Sequence, residues 1–302
     1  MCGIVPKRHT LCMSDVGNGV PVDLPARLSP SRLGDFRQCP AKFYYGSILK
    51  LPRQATEATT IGTLAHEAFE KVFDHPREER TVERAITYLR PAWEHIKDRN
   101  DYLHLHELEE SILARAETAV KSWFGVERPH NFDPIGREVR AISDVSGVPL
   151  LGILDRVDRV EVDGKTFLYI SDYKTGKPVS SDDRFLDEKF FAMRIYALLW
   201  YTLHGEMPHE LRLIYVSGGT RDSVRKIRVD KNLIERARAE VKGLYKDMSK
   251  YAKEGNWPCK KHVLCSWCDY MAICPLWNKE LQGLETGEIR QVFVDGKAKL
   301  VD

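Results

Sequence analysis

Between Val148 and Lys174 the chain reads VPLLGILDRVDRVEV, then Asp163-Gly164, then KTFLYISDYK. An Asp-Gly pair between two β-rich runs predicts a two-residue type I′ hairpin, and such a turn fixes the pairing register. Paired residues are then equidistant from the turn, so Asp155 faces Asp172. Directly opposed side chains stand about 5 Å apart on one face of a sheet, and two carboxylates at that separation repel. Lys174, two residues beyond Asp172, shares its face. Two acids and one ammonium converge, an arrangement that calls for something positive between the acids. Carboxylate oxygens suit a hard cation such as Mg²⁺ or Mn²⁺. Two surface acids beside a lysine are the plainer alternative, and a β-bulge would shift the register by one.

Gly152-x-x-Asp155 followed by Asp172-Tyr173-Lys174 resembles the motif of the PD-(D/E)xK nucleases. Around it stand Gly62-Thr-Leu-Ala-His66, Cys39, and Cys265-x2-Cys268-x5-Cys274. With these additions the chain is similar to the RecB-like exonuclease branch, including the AddB nuclease domain and CRISPR-associated RecB-like nucleases, from about residue 28 to 278. The resemblance implies an α/β, restriction-endonuclease-like core, a small mixed sheet flanked by helices. It also implies that Asp155, Asp172, the Tyr173 carbonyl and the GxxxH histidine, His66, hold one or two metal ions. Lys174 would orient or activate the attacking water. An acid on the preceding strand often points into such a site, which makes Glu138 a secondary catalytic candidate; a solvated strand glutamate is the other reading.

Net charge is +2 over 302 residues, so nucleic-acid binding would have to come from local basic patches. Seven cysteines are too few for a disulfide framework in a chain of this size. Four of them, Cys259, Cys265, Cys268 and Cys274, crowd into one short stretch, which points to metal ligation in a reducing, cytoplasmic setting. Thiolates select zinc or iron–sulfur centres. A local four-thiolate zinc site is one reading. The resemblance implies another, a 4Fe–4S cluster held by Cys39, Cys265, Cys268 and Cys274 with Cys259 left over, clasping the two ends of the domain.

Residues 1–27 have no apolar core of the kind a signal peptide needs and read as a loose extension. No run approaches the roughly 18 apolar residues of a membrane span. Ser29-Pro30 opens a first helix that Pro40 ends beside Cys39, and Phe43, Tyr44 and Tyr45 then read as packing residues more than as a base-stacking platform. A polar linker at 52–60 precedes a helix carrying His66, one position off its apolar stripe. Residues 78–124 read as a helical insertion broken or kinked at Pro91; His95, His104 and His106 there lack ligand spacing. Residues 134–143 form a strand leading into the hairpin.

A helix over about 185–205 follows. The family usually places Q-x-x-x-Y here, whereas this chain has Ala192 where the glutamine belongs and Tyr196 at the tyrosine. Tyr196 is a substrate-contact candidate, with Arg194 or Lys189 to replace the lost amide. Strands are expected at 209–217 and 223–229. In the helix at 231–253, Arg238, Lys242, Lys246, Lys250 and Lys253 share a face, a solvated surface or a phosphate track that makes Lys242 and Lys246 substrate-binding candidates. The cysteine clasp covers 257–277, and residues 279–302 form a tail with a second Asp-Gly hairpin signal.

These expectations add up to a metal-dependent DNA exonuclease, acting on single strands in recombination, repair or phage DNA processing, with a helicase or recombination partner. An endonuclease, a nuclease that trims ends in CRISPR adaptation, and a non-catalytic DNA-binding iron–sulfur subunit are the alternatives.

Overall fold

The computed structural model describes residues 15–17, 19–182 and 186–278. Cys2, Cys12 and the expected C-terminal hairpin lie outside these. The chain divides into two units: one is Arg27–Pro30 with Gln54–Lys242, the other takes in residues up to Ala26, Ser31–Arg53 and everything from Gly243 on.

The first unit is built on five strands, β1 (Gly136–Val145), β2 (Val148–Val162), β3 (Lys165–Lys174), β4 (Glu210–Tyr215) and β5 (Val224–Arg228), which lie side by side in chain order. All neighbours are antiparallel except β3 and β4. Ser146-Gly147 makes the first turn and Asp163-Gly164 the second, and all four residues have positive φ, as type I′ geometry requires. The expected register holds from Val162↔Lys165 to Arg156↔Ser171. A parallel neighbour needs a crossover, and α5 (Phe191–His204) lies within that connection, packed against β1 and β2.

Helices α2 (Glu57–Lys71), α3 (Leu89–Ile96) and α4 (Glu109–Val126) build a core with Tyr173 and Ile214 of the sheet. The α2 helix begins inside the stretch that composition reads as linker. Thr56 accepts from the Thr59 N–H at 3.2 Å and Thr59 accepts from the Thr56 N–H at 2.9 Å, a reciprocal cap built from two threonines. The break expected at Pro91 is present: a helix at Val82–Ile86 ends just before it, and Pro91 sits in the first turn of α3, where its missing N–H has no intrahelical partner to lose. Phe69 of α2 meets the rings of Trp123 and Tyr173 at 4.7 and 4.8 Å, which seats α2 against β3 one turn from His66.

In the second unit α1 (Pro30–Gln38) leads to Cys39. The aromatic residues after it are packing residues, as expected: Phe43, Tyr44 and Tyr45 are buried, and Trp257 stacks on Tyr44 at 5.6 Å. The Tyr45 hydroxyl donates to the Ile273 carbonyl at 3.2 Å and that of Tyr270 to Leu51 at 3.3 Å. These bonds tie the segment after Cys39 to the cysteine-rich stretch. The long helix α6 (Lys231–Glu254), whose residues from Gly243 on belong to this unit, buries Ala237, Val241 and Met248, half-buries Leu244, and leaves Lys242, Lys246 and Lys250 exposed.

Gly152 explains how close α5 comes to the sheet: a Cβ there would lie 2.9 Å from Leu199 and 3.0 Å from the Tyr196 ring. Gly152→Val should therefore lower stability by about 1–3 kcal/mol, measured by urea unfolding. Gly176→Ala, which meets nothing within 4 Å, should change it by less than about 0.5 kcal/mol. Equal effects at both positions would contradict this packing.

Candidate active site

His66, Glu138 and Asp155 each bring one ligand atom to within 4.8 Å of the others. They come from α2, β1 and β2. His66 Nδ1 lies 3.4 Å from Asp155 Oδ2 and Nε2 lies 3.1 Å from the Tyr173 carbonyl. The Tyr173 N–H donates to Asp155 Oδ2 at 2.8 Å. Asp155 and Asp172 come next in register after Arg156↔Ser171, but the ladder stops there, and the Asp155 side chain takes the N–H instead. The β1–β2 ladder also lapses, passing from Arg137↔Arg156 to Val139↔Leu154. At the lapse Glu138 has φ +44°, a left-handed conformation uncommon for a residue with a Cβ and frequent at functional sites.

These residues open onto a cleft of about 530 Å³, lined also by Gly62, Thr63, Glu67, Glu70, Ile153 and Tyr196. Burial, then Asp155, Glu70, Glu67 and Asp172, push the Glu138 carboxyl up to about 7. Burial and Asp172 push Asp155 up to about 6, against the pull of His66 and the Tyr173 N–H. Burial and the same acids raise the Tyr196 phenol, which stays protonated. Lys174 forms an ion pair with Asp172. Burial works against its charge, but Asp172 outweighs it and holds the ammonium above its ordinary value.

The donor set suits a divalent cation. Carboxylates that resist ionisation because they face one another gain most from a shared positive charge, and an imidazole beside them widens the choice from Mg²⁺ toward Mn²⁺.

A profile of the PD-(D/E)XK nuclease superfamily matches residues 27–275. The chain belongs to that superfamily. Among its relatives are two proteins whose names make them subunits of an ATP-dependent helicase/deoxyribonuclease. The one from Oceanobacillus iheyensis is 26% identical over 203 residues, and the one from Clostridium tetani is 28% identical over 204. Each match covers 57% of this chain and 17% of the relative. The crystal structure of a candidate exonuclease from Eubacterium rectale shares the fold, with a TM-score of 0.53 at 14% identity, over 80% of this chain and 88% of that one.

Against the superfamily motif, the structure gathers His66, Glu138, Asp155 and the Tyr173 carbonyl, with Asp172 and Lys174 paired beside them. Asp172 does not join the close ligand group, and Glu138 does. Tyr196 lines the cleft. Arg194 departs from expectation: its buried guanidinium donates to the Asp187 carboxylate at 2.8 Å and carbonyl at 2.7 Å, and lies 3.7 Å from Glu240, so it is committed to structure rather than substrate. Glu67 and Glu70 escape the reading of the sequence. Their spacing from Thr63 and His66, at i+4 and i+7 from the threonine, is the helical pattern that could have revealed them.

Within the other unit, Cys39, Cys265, Cys268 and Cys274 line one cavity. The Lys260 N–H donates to Cys39 Sγ at 3.3 Å, and Cys259 Sγ lies 3.8 Å from Cys274 Sγ.

A carboxyl pKa raised by folding stabilises the protein below its unfolded value and loses that contribution as pH rises to the folded value. For Glu138 this window runs from 4.5 to about 7, and for Asp155 from 3.8 to about 6. Metal-free protein should therefore melt lower at pH 8 than at pH 5, and Mn²⁺ should raise Tm more at pH 8. In Glu138→Gln the metal-free pH dependence should shrink. Identical pH profiles for the variant and the wild type would show that folding does not raise the Glu138 carboxyl.

Proposed function

We propose that this chain is a metal-dependent DNA exonuclease that hydrolyses phosphodiester bonds of single strands in recombination or repair. The observation that carries this reading is the convergence of His66, Glu138 and Asp155 at an open cleft, with the Lys174–Asp172 ion pair on the neighbouring strand, in a PD-(D/E)XK nuclease. Relatives named as helicase/deoxyribonuclease subunits support DNA as substrate and a helicase as partner.

His66, Glu138 and Asp155 would hold the metal, with the Tyr173 carbonyl and Asp172 adjacent. A divalent cation held there would supply Lewis-acid polarisation of the phosphate and make water at the site a better nucleophile. Lys174 is already protonated, so its role is that of a donor: it orients the attacking water and offsets charge on the phosphate as the bond breaks. Asp172 holds that ammonium in place. The Tyr196 phenol, also protonated, lines the cleft as a donor to a non-bridging oxygen, and Lys242 and Lys246 stand exposed as proposed phosphate contacts.

The cysteine cavity supports a second group. Four soft thiolate ligands around one space fit an iron–sulfur cluster, and we infer that Cys39, Cys265, Cys268 and Cys274 hold a 4Fe–4S centre as a structural clasp. Thiolates kept reduced imply a cytoplasmic setting. Among the described residues no helix is long and apolar enough to cross a membrane.

End-labelled single and double strands incubated with Mg²⁺, Mn²⁺ or chelator test the activity. Cleavage should need metal, proceed at least as well with Mn²⁺ as with Mg²⁺, and fall about 100-fold or more in Lys174→Ala and in Asp172→Ala. Retained cleavage in either variant would sink the site assignment. Anaerobically purified protein should be brown and contain iron, and Cys39→Ala should bleach it and lower its Tm, because ligation energy is folding energy. Colourless protein with one zinc, sensitive to Cys259→Ala and indifferent to Cys39→Ala, would overturn the cluster.

A further inference from the structure

Tyr173 lies between Asp172 and Lys174, and its ring points into the core, where it meets Phe69 and Trp123. Its main chain touches both candidate ligands: the N–H donates to Asp155 and the carbonyl faces His66. Its phenol oxygen is bound by Arg156. That guanidinium, in a side chain only 2% exposed, grips Glu127 through two parallel bonds of 2.7 Å and Asp158 through one of 2.9 Å. Trp123 Nε1 adds a bond of 2.9 Å to Glu127. Glu127 follows directly on α4, 29 residues before Arg156, and is not among the residues that line the cleft.

A buried ion pair is no better for stability than an apolar pair of the same size, because desolvation offsets the attraction. Tyr173→Phe alone would remove the phenol that the pair serves. What the pair adds is direction: a forked, doubly bonded guanidinium fixes the phenol, and the phenol fixes a ring whose own backbone atoms hold the two ligands.

We propose that Glu127 and Arg156 are positioning residues, acting through the Tyr173 phenol to hold the main chain that orients Asp155 and His66 for metal. This rests on the reading of those two side chains as metal ligands, given above. The pair touches neither metal nor substrate.

The test is Mn²⁺ affinity of the full chain, followed by the electron paramagnetic resonance signal of free Mn²⁺, alongside Tm. Tyr173→Phe and Glu127→Gln should each weaken binding about tenfold or more, as loss of an outer partner does in metal sites. Val120→Ala, which opens a cavity in the same buried core, should lower Tm and leave affinity unchanged. If Tyr173→Phe fails to fold, Glu127→Gln carries the comparison. Lowered Tm with wild-type affinity in both variants would overturn the positioning role, provided His66→Ala weakens binding. If His66→Ala binds Mn²⁺ as the wild type does, the ligand assignment itself fails and the proposal falls with it.

Discussion

Repulsion among Glu138, Asp155 and Asp172 is the constraint around which the first unit is arranged. Three acids from adjacent strands meet at one place, and desolvation with mutual repulsion raises the Glu138 carboxyl to about 7 and that of Asp155 to about 6. The sheet accommodates them by giving up regular pairing at that point. The ladders lapse on both sides of Asp155, Glu138 takes a left-handed backbone, and the Tyr173 N–H turns to a side chain. A cation would complete this balance.

The surrounding fold holds the arrangement in place. The threonine cap starts α2 early enough for Phe69 to reach the Tyr173 ring, and that contact brings His66 over the Tyr173 carbonyl. Gly152 lets α5 approach the sheet closely enough to put Tyr196 at the cleft. The two ion pairs have different tasks. Lys174–Asp172 joins a half-exposed ammonium to an acid of the same strand, whereas Arg156–Glu127 is buried behind Tyr173.

Much of this is legible in the sequence because it is local. Asp163-Gly164 sets a hairpin register by turn chemistry alone, and helical spacing places His66 beside an apolar stripe. Glu138 is legible only as one of two readings, since nothing in a strand pattern signals a positive φ at a glutamate. The partners of Arg156 are hidden for a different reason. Glu127 meets it only after α4 has packed against α2, and an Asp-Arg-x-x sequence carries no mark of a long-range bond. Arg194 misleads because helical position gives a direction but not the competing acids, Asp187 and Glu240, that claim the guanidinium.

The central claim is that His66, Glu138 and Asp155 form one metal site. It is tested most directly by crystals grown with Mn²⁺ and measured for anomalous scattering. The account predicts a peak bounded by His66, Glu138 and Asp155 and next to the Tyr173 carbonyl, absent from crystals of His66→Ala. Bound Mn²⁺ elsewhere, with the three side chains empty at saturating metal, would contradict it.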